Sequence, residues 1–298
     1  EFYSRDRKNI FHKKYEYVID PSQAEIKVKE NHFYEILEIH HTGDPSIKVD
    51  VVILPEGYTA DEMEKFIEDA NKFTGYLFNS SPFKENKENF NIWSVYAPSE
   101  ETGTTDPGDS LFKNTLLGTS FYTLGTERYL MTLYNKTVRD VAANVPYDQI
   151  YILVNSDKYG GGAIYNYYSV CINNHRAEEY VFVHEFGHGF AALADEYYTS
   201  EVAYQDFYAL DVEPWEANLT TLVNFESKWK DKIAEDTPVP TPATTEYKNV
   251  LGAFEGGGYV EKGVFRPAYD CSMKSATVNN FCIVCKETIE KMINFYTQ

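Results

Sequence analysis

Cations are scarce in this 298-residue chain: 27 Lys and Arg stand against 46 Asp and Glu, a formal charge of −19 at pH 7. A surface of that sign repels phosphate backbones and anionic membrane leaflets, which excludes nucleic acid as the expected partner. Long hydrophobic runs are missing too. Nothing approaches the roughly 18 to 20 consecutive apolar residues of a membrane-spanning helix. The first residues, Glu1-Phe2-Tyr3-Ser4-Arg5-Asp6, have neither a starting Met nor the apolar stretch of a signal peptide. The chain therefore reads as a mature form or a trimmed fragment, with any export signal or anchor lying upstream. Cysteine is sparse: Cys171, Cys271, Cys282 and Cys285 are too few for a disulfide-stapled scaffold.

What is present is a large apolar and aromatic content, 43% hydrophobic with 25 Tyr and 19 Phe, enough for one large core or two modest ones. The acidic, tyrosine-rich, lysine-poor composition favours an exported protein over a cytosolic one.

Residues 1–48 are polar with weak alternation at Glu25–Lys29 and Phe33–Leu37, and are expected to be a linker or the remnant of a missing N-terminal domain. The main domain is expected over residues 49–298. There the run Val49-Asp50-Val51-Val52-Ile53-Leu54 predicts a strand buried on both faces. Thr59 with Glu62 forms a capping-box pattern ahead of Met63, Phe66, Ile67, Ala70, Phe73 and Leu77 at helical spacing. Strands follow at Phe90–Tyr96 and Ile150–Val154, and Leu130–Asn144 reads as part of a second helix. Alternation of this kind implies an α/β fold with a mixed, mostly parallel sheet packed on helices. Gly160-Gly161-Gly162 reads as a loop and Asn166–Ile172 as a strand at the sheet edge. Helices are expected over about Ala177–Leu193 and Ile283–Phe295.

His184-Glu185-Phe186-Gly187-His188 is an HExxH pattern. On a helix, residues four apart share a face about 6 Å apart along the axis, so both imidazoles can reach one Zn²⁺. Glu185 projects beside them, where it can take a proton from a water, so the chemistry this points to is zinc-dependent peptide-bond hydrolysis. A catalytic zinc needs a third protein ligand. Asp195 lies about 10.5 Å beyond His188 along an unbroken helix, so it can serve only if the chain turns back, with Gly189 the expected weak point. Glu196 is the close alternative, and Glu213 or Glu216 the more distant ones. Tyr197, Tyr269 and Arg266 are candidate donors to a developing oxyanion. The strand at Asn166–Ile172 could pair with an extended substrate.

Phe281-Cys282-Ile283-Val284-Cys285 contains a CxxC pattern near the chain end. Structural disulfides or buried thiols are preferred there over a redox site, with Cys271 the expected partner; a structural zinc on all four cysteines is a further option.

The string HEFGHGFAALADEYY resembles the zinc site of the IgA-type metallopeptidases of gut bacteria, a family grouped with the metzincins. The similarity extends to Val-Asp-Val-Val-Ile-Leu-Pro-Glu-Gly-Tyr from Val49, to Ser99-Glu100-Glu101-Thr102-Gly103, and to Gly263-Val264-Phe265-Arg266-Pro267 leading into Cys271-Ser272-Met273. The resemblance implies a metzincin-like zinc metallopeptidase fold, with His184, His188 and Asp195 as metal ligands, Glu185 as general base and Met273 in a methionine turn. It departs from the broader metzincin pattern, which has Gly seven and a ligand ten residues after the first His, where this chain has Ala191 and Ala194. The implied substrate is a protein or peptide, immunoglobulin A or another host glycoprotein, acted on by a monomer. Two other functions fit parts of the sequence. A catalytically silent protein-binding module would keep the fold without turnover, and a thiol oxidoreductase around Cys282 and Cys285 would work after chelation.

Overall fold

A computed structural model describes residues 1–20, 22–23, 33–199 and 207–298. The predicted strand at Glu25–Lys29 lies outside them. In chain order the strands are β1 (Phe2–Arg5), β2 (Phe11–Tyr15), β3 (Glu35–His40), β4 (Val49–Glu56), β5 (Phe90–Tyr96), β6 (Thr119–Ser120), β7 (Met131–Thr132), β8 (Gln149–Val154), β9 (Gly161–Ile164), β10 (Tyr168–Ile172), β11 (Phe254–Gly257) and β12 (Val260–Arg266). The α-helices are α1 (Met63–Asn79), α2 (Asn135–Ala142), α3 (Glu178–Ala191) and α4 (Ile283–Tyr296).

Six strands form the central sheet in the order β3-β5-β4-β8-β10-β9. The inner pairs β4/β5, β4/β8 and β8/β10 are parallel, and antiparallel strands close both ends. The mixed, mostly parallel α/β sheet is thus the one the strand–helix alternation predicts. β3 comes from the stretch expected to be a linker or remnant, and it is the outer strand of this sheet.

β4 shows why its sequence is nearly all apolar. Successive side chains point to opposite faces: Val51 and Ile53 join the core shared with α1, α3 and α4, while Val52 and Leu54 join a second core roofed by α2. The capping box of Thr59 and Glu62 is formed, and Met63, Phe66, Ala70, Phe73 and Leu77 are the buried stripe of α1. α2 begins later than the pattern suggested, because Met131–Thr132 pairs with Thr119–Ser120 before the helix starts.

At the end of β4, Glu56 is fully buried. Its carboxylate accepts from Thr115 Oγ1 at 2.6 Å, from the Leu117 and Thr119 amides at 2.8 Å each and from Thr119 Oγ1 at 3.0 Å. This one side chain clasps the 115–119 segment to the sheet. Glu56→Ala would leave four buried donors without their acceptor, and each such group costs about 1–3 kcal/mol. Urea denaturation should show a loss of roughly 3 kcal/mol or more; a change within 0.5 kcal/mol, the usual effect of a surface substitution, would show that the clasp does not hold.

Candidate active site

The helix α3 carries the HExxH motif, and its phenylalanines determine where that motif faces. Phe182, Phe186 and Phe190 recur every four residues and are buried. Phe182 stacks on Tyr151 at 4.2 Å between ring centroids, and Phe186 and Phe190 meet Phe83. At about 100° per residue, His184 and His188 then lie on roughly the opposite side of the helix. Burying the aromatic stripe turns the imidazoles into a cleft of about 400 Å³, whose walls include Glu185, Asp195, Arg128 and Tyr259.

The break that returns Asp195 to the histidines is not at Gly189. α3 continues through Gly189 to Ala191 and stops at Ala192, which adopts a left-handed conformation with φ 53°. The Ala192 amide donates to the His188 carbonyl and the Leu193 amide to the Gly187 carbonyl, closing the helix end. Gly189 instead allows close packing on the sheet: a Cβ there would lie 2.2 Å from Ser169 Oγ. That same hydroxyl donates to the Glu185 carbonyl at 3.0 Å and so ties the helix to β10.

After the reversal, His184 Nε2, His188 Nε2 and Asp195 Oδ1 converge. The two nitrogens are 3.0 Å apart, and Oδ1 is 3.1 Å from one and 3.2 Å from the other. His184 Nδ1 lies 2.9 Å from the Ser272 carbonyl and His188 Nδ1 2.5 Å from the Leu193 carbonyl. Carbonyls only accept, so both Nδ1 atoms carry a proton, and Nε2 is the atom of each ring that can give up its proton and offer a lone pair to an ion. Asp195 Oδ1 is buried without a hydrogen-bond donor. Three lone-pair donors facing one point repel one another unless a cation sits between them. Their spacing fits one, since ligands about 2.0–2.1 Å from a tetrahedral ion lie roughly 3.3 Å apart. The pull of this site toward positive charge also shows in its protonation. Burial works against charge on His188, yet the Asp195 carboxylate overrides it and draws the imidazole up to about 9. Asp195 itself is held well below the usual range against its burial, by His188 and His184.

Of the four carboxylates considered for the third position, only Asp195 belongs to this group. Glu196 points the other way, toward Cys271, Cys282 and Cys285. It does not reach solvent as a discarded partner would, but is fully buried beside cysteines. Glu213 accepts from the Asn224 amide, and Glu216 from the Tyr208 hydroxyl.

Glu185 is half-buried on the cleft wall, its Oε1 next to Gly161 of β9. Burial raises its pKa, with Asp195 adding to the rise and the two histidines opposing it. Among the oxyanion candidates, Tyr197 lines the cleft and accepts from Arg128 at 3.2 Å. Arg266 is engaged elsewhere, donating to the Glu255 and Gly256 carbonyls, and the Tyr269 carbonyl accepts from Lys274. Met273 is buried beneath α3, its Sδ 3.0 Å from where a Cβ on Gly187 would stand. Its carbonyl accepts from the Glu196 amide, so the turn containing Met273 and the loop carrying Asp195 are joined.

Three features escaped the sequence reading. Tyr259 donates its hydroxyl proton to Asp195 Oδ2, and Arg128 joins the cleft wall; neither sits in a motif. The edge of the sheet is β9, within the supposed glycine loop, whereas Tyr168–Ile172 is an inner strand between β8 and β9.

The family model described as IgA Peptidase M64 matches residues 37–249 and 243–293. No curated protein matches the chain.

Proposed function

The chain belongs to the IgA peptidase M64 family and is a peptidase; from that premise we propose a zinc-dependent endopeptidase of metzincin-like architecture, with His184, His188 and Asp195 as ligands and Glu185 as general base. The observation that supports it most is the convergence of two imidazole Nε2 atoms and one orphaned carboxylate oxygen within 3.2 Å. Two imidazoles and a carboxylate are a donor set for Zn²⁺ and also for Fe²⁺. A carboxylate base beside the site, on a peptidase chain, favours the hydrolytic ion. Zinc would supply Lewis acidity, polarising the scissile carbonyl and lowering the pKa of the attacking water.

The protein's own groups do the remainder. Glu185 takes the proton of the attacking water and passes it to the leaving amine. Tyr197, with Arg128 behind it, faces the cleft where the carbonyl oxygen gains charge. The substrate strand lies along β9. Gly161 directs its amide and carbonyl away from β10, toward the Arg128 carbonyl and the Leu130 amide. Two residues on, Ala163 turns its own N–H and C=O to the same side, available for an added strand. The substrate is a protein, immunoglobulin A or another host glycoprotein, and an extracellular setting accompanies it. No helix among the described residues is long and apolar enough to cross a membrane.

Elemental analysis of a His184→Ala/His188→Ala double variant tests the assignment. It should lose one equivalent of zinc relative to wild type, together with casein and immunoglobulin A digestion. Unchanged zinc content would remove both histidines from the site, and iron in place of zinc would replace the hydrolytic reading.

A further inference from the structure

Behind the cleft lies a second group of ligating side chains. Glu196, Cys271, Cys282 and Cys285 each offer an atom within 4.8 Å of the others, and three of the four residues are buried. The fourth, Cys282, caps the N-terminus of α4, and its amide donates to Cys271 Sγ at 3.2 Å. Cys271 Sγ and Cys285 Sγ are 3.8 Å apart, and Glu196 Oε1 is 3.3 Å from Cys285 Sγ. All four cysteines are free thiols and three are buried, so of the two expectations at the CxxC pattern the structure has thiols and not a disulfide through Cys271. Cys171 lies apart from the group, in β10, so a four-cysteine site is not formed either.

We propose that Cys271, Cys282, Cys285 and Glu196 hold a second, structural zinc ion. A sulfur–sulfur separation of 3.8 Å is far beyond a disulfide bond of about 2.05 Å. It is close to the roughly 3.8 Å edge of a tetrahedron with Zn–S bonds of about 2.3 Å. An independent observation marks the centre. Glu196 is fully buried, its Oε1 accepts from Asn218 and from the Cys285 sulfur, and Oε2 has no hydrogen-bond partner among the described residues. A carboxylate buried that way is costly unless it is paired or binds a metal. Three thiolates, one carboxylate and Zn²⁺ carry a net charge of −2, and the buried Arg266 guanidinium, which senses the Glu196 charge, offsets part of it. Four protein ligands leave no open position, the arrangement of structural rather than catalytic zinc.

The place of this site gives it a task. Glu196 follows Asp195 directly, and its amide bonds to Met273, while Cys271 begins the turn containing Ser272, the residue whose carbonyl orients His184. A zinc ion here would fasten the loop that delivers Asp195 and the turn that positions His184 to the start of α4.

The test is zinc stoichiometry on the full chain purified without chelator. Wild type should carry two equivalents and His184→Ala/His188→Ala one. In that double variant, replacing the remaining zinc with cobalt should produce thiolate-to-cobalt charge-transfer absorption, and a mercurial thiol reagent should release one equivalent of metal. Cys282→Ser/Cys285→Ser should lose one equivalent. Should that variant fail to fold, the cobalt spectrum and mercurial release still decide the matter. Unfolded wild type should titrate four thiols after chelation. Two titratable thiols, or a His184→Ala/His188→Ala protein with no zinc and no cobalt–thiolate band, would overturn the proposal. The two sites fail separately: if only the catalytic assignment is wrong, the cysteine-bound equivalent remains.

Discussion

Glu185→Gln is expected to keep the zinc content of wild type while casein hydrolysis falls by about 10²-fold or more. The amide preserves the size and the helix contacts of Glu185 but cannot accept the proton of the attacking water, and loss of a general base commonly costs that much. The environment sharpens the expectation. Burial lifts the Glu185 pKa above that of an ordinary carboxylate, with Asp195 adding to the rise and His184 and His188 opposing it. Its side chain is fixed between the α3 backbone, which Ser169 ties to the sheet, and Gly161 of β9. Zinc determination and single-turnover hydrolysis on one sample separate the two effects. Near-normal turnover with full zinc would move the base role to another residue; loss of both together would mean that the substitution disturbs the ligands. The same experiment discriminates against the binding-module reading, in which wild type and variant would be equally inactive.

The parts of the molecule legible in the sequence are those decided by short-range pattern. The buried strand at Val49–Glu56 and the stripe of α1 follow from apolar periodicity, and the HExxH histidines share a face because helix geometry leaves no other arrangement. What was not legible depends on contacts distant in sequence. Gly161-Gly162 has little intrinsic strand preference and becomes β9 only because β10 pairs on one side and the Arg128–Leu130 backbone on the other. Ala192 takes a left-handed conformation that favours glycine, so nothing at that position marks the helix end. Tyr259 is one of 25 tyrosines, and its bond to Asp195 comes from a turn 64 residues away. The residues alone left Glu196 a close alternative to Asp195, and the family resemblance favoured Asp195, because nothing local to two adjacent carboxylates says which one faces the histidines. Each turns out to face a different cluster of ligands.

Asp195→Ala should weaken zinc binding at the histidine site far more than Tyr259→Phe does, and the contrast distinguishes a ligand from the group that holds it. Removing Asp195 takes away the only carboxylate of the set and leaves two neutral imidazoles, so the affinity loss should exceed the 10- to 100-fold typical of outer-shell changes. Tyr259 touches the other oxygen, Oδ2, and its hydroxyl keeps Oδ1 turned toward His184 and His188. Tyr259→Phe deletes that hydrogen bond while keeping the ring and its contact with Tyr197, so its effect should fall within that 10- to 100-fold range. Competition with a chromogenic chelator measures both, on a background in which the cysteine-bound zinc is counted separately by mercurial release. Glu196→Ala is a poor control for this comparison, because Glu196 is buried among the cysteines and its removal should act on the other ion. An Asp195→Ala protein that binds the histidine-site zinc as tightly as wild type would show that the third ligand is not Asp195. The orphaned Oδ1 would then need another cation, the nearest being a proton on His188.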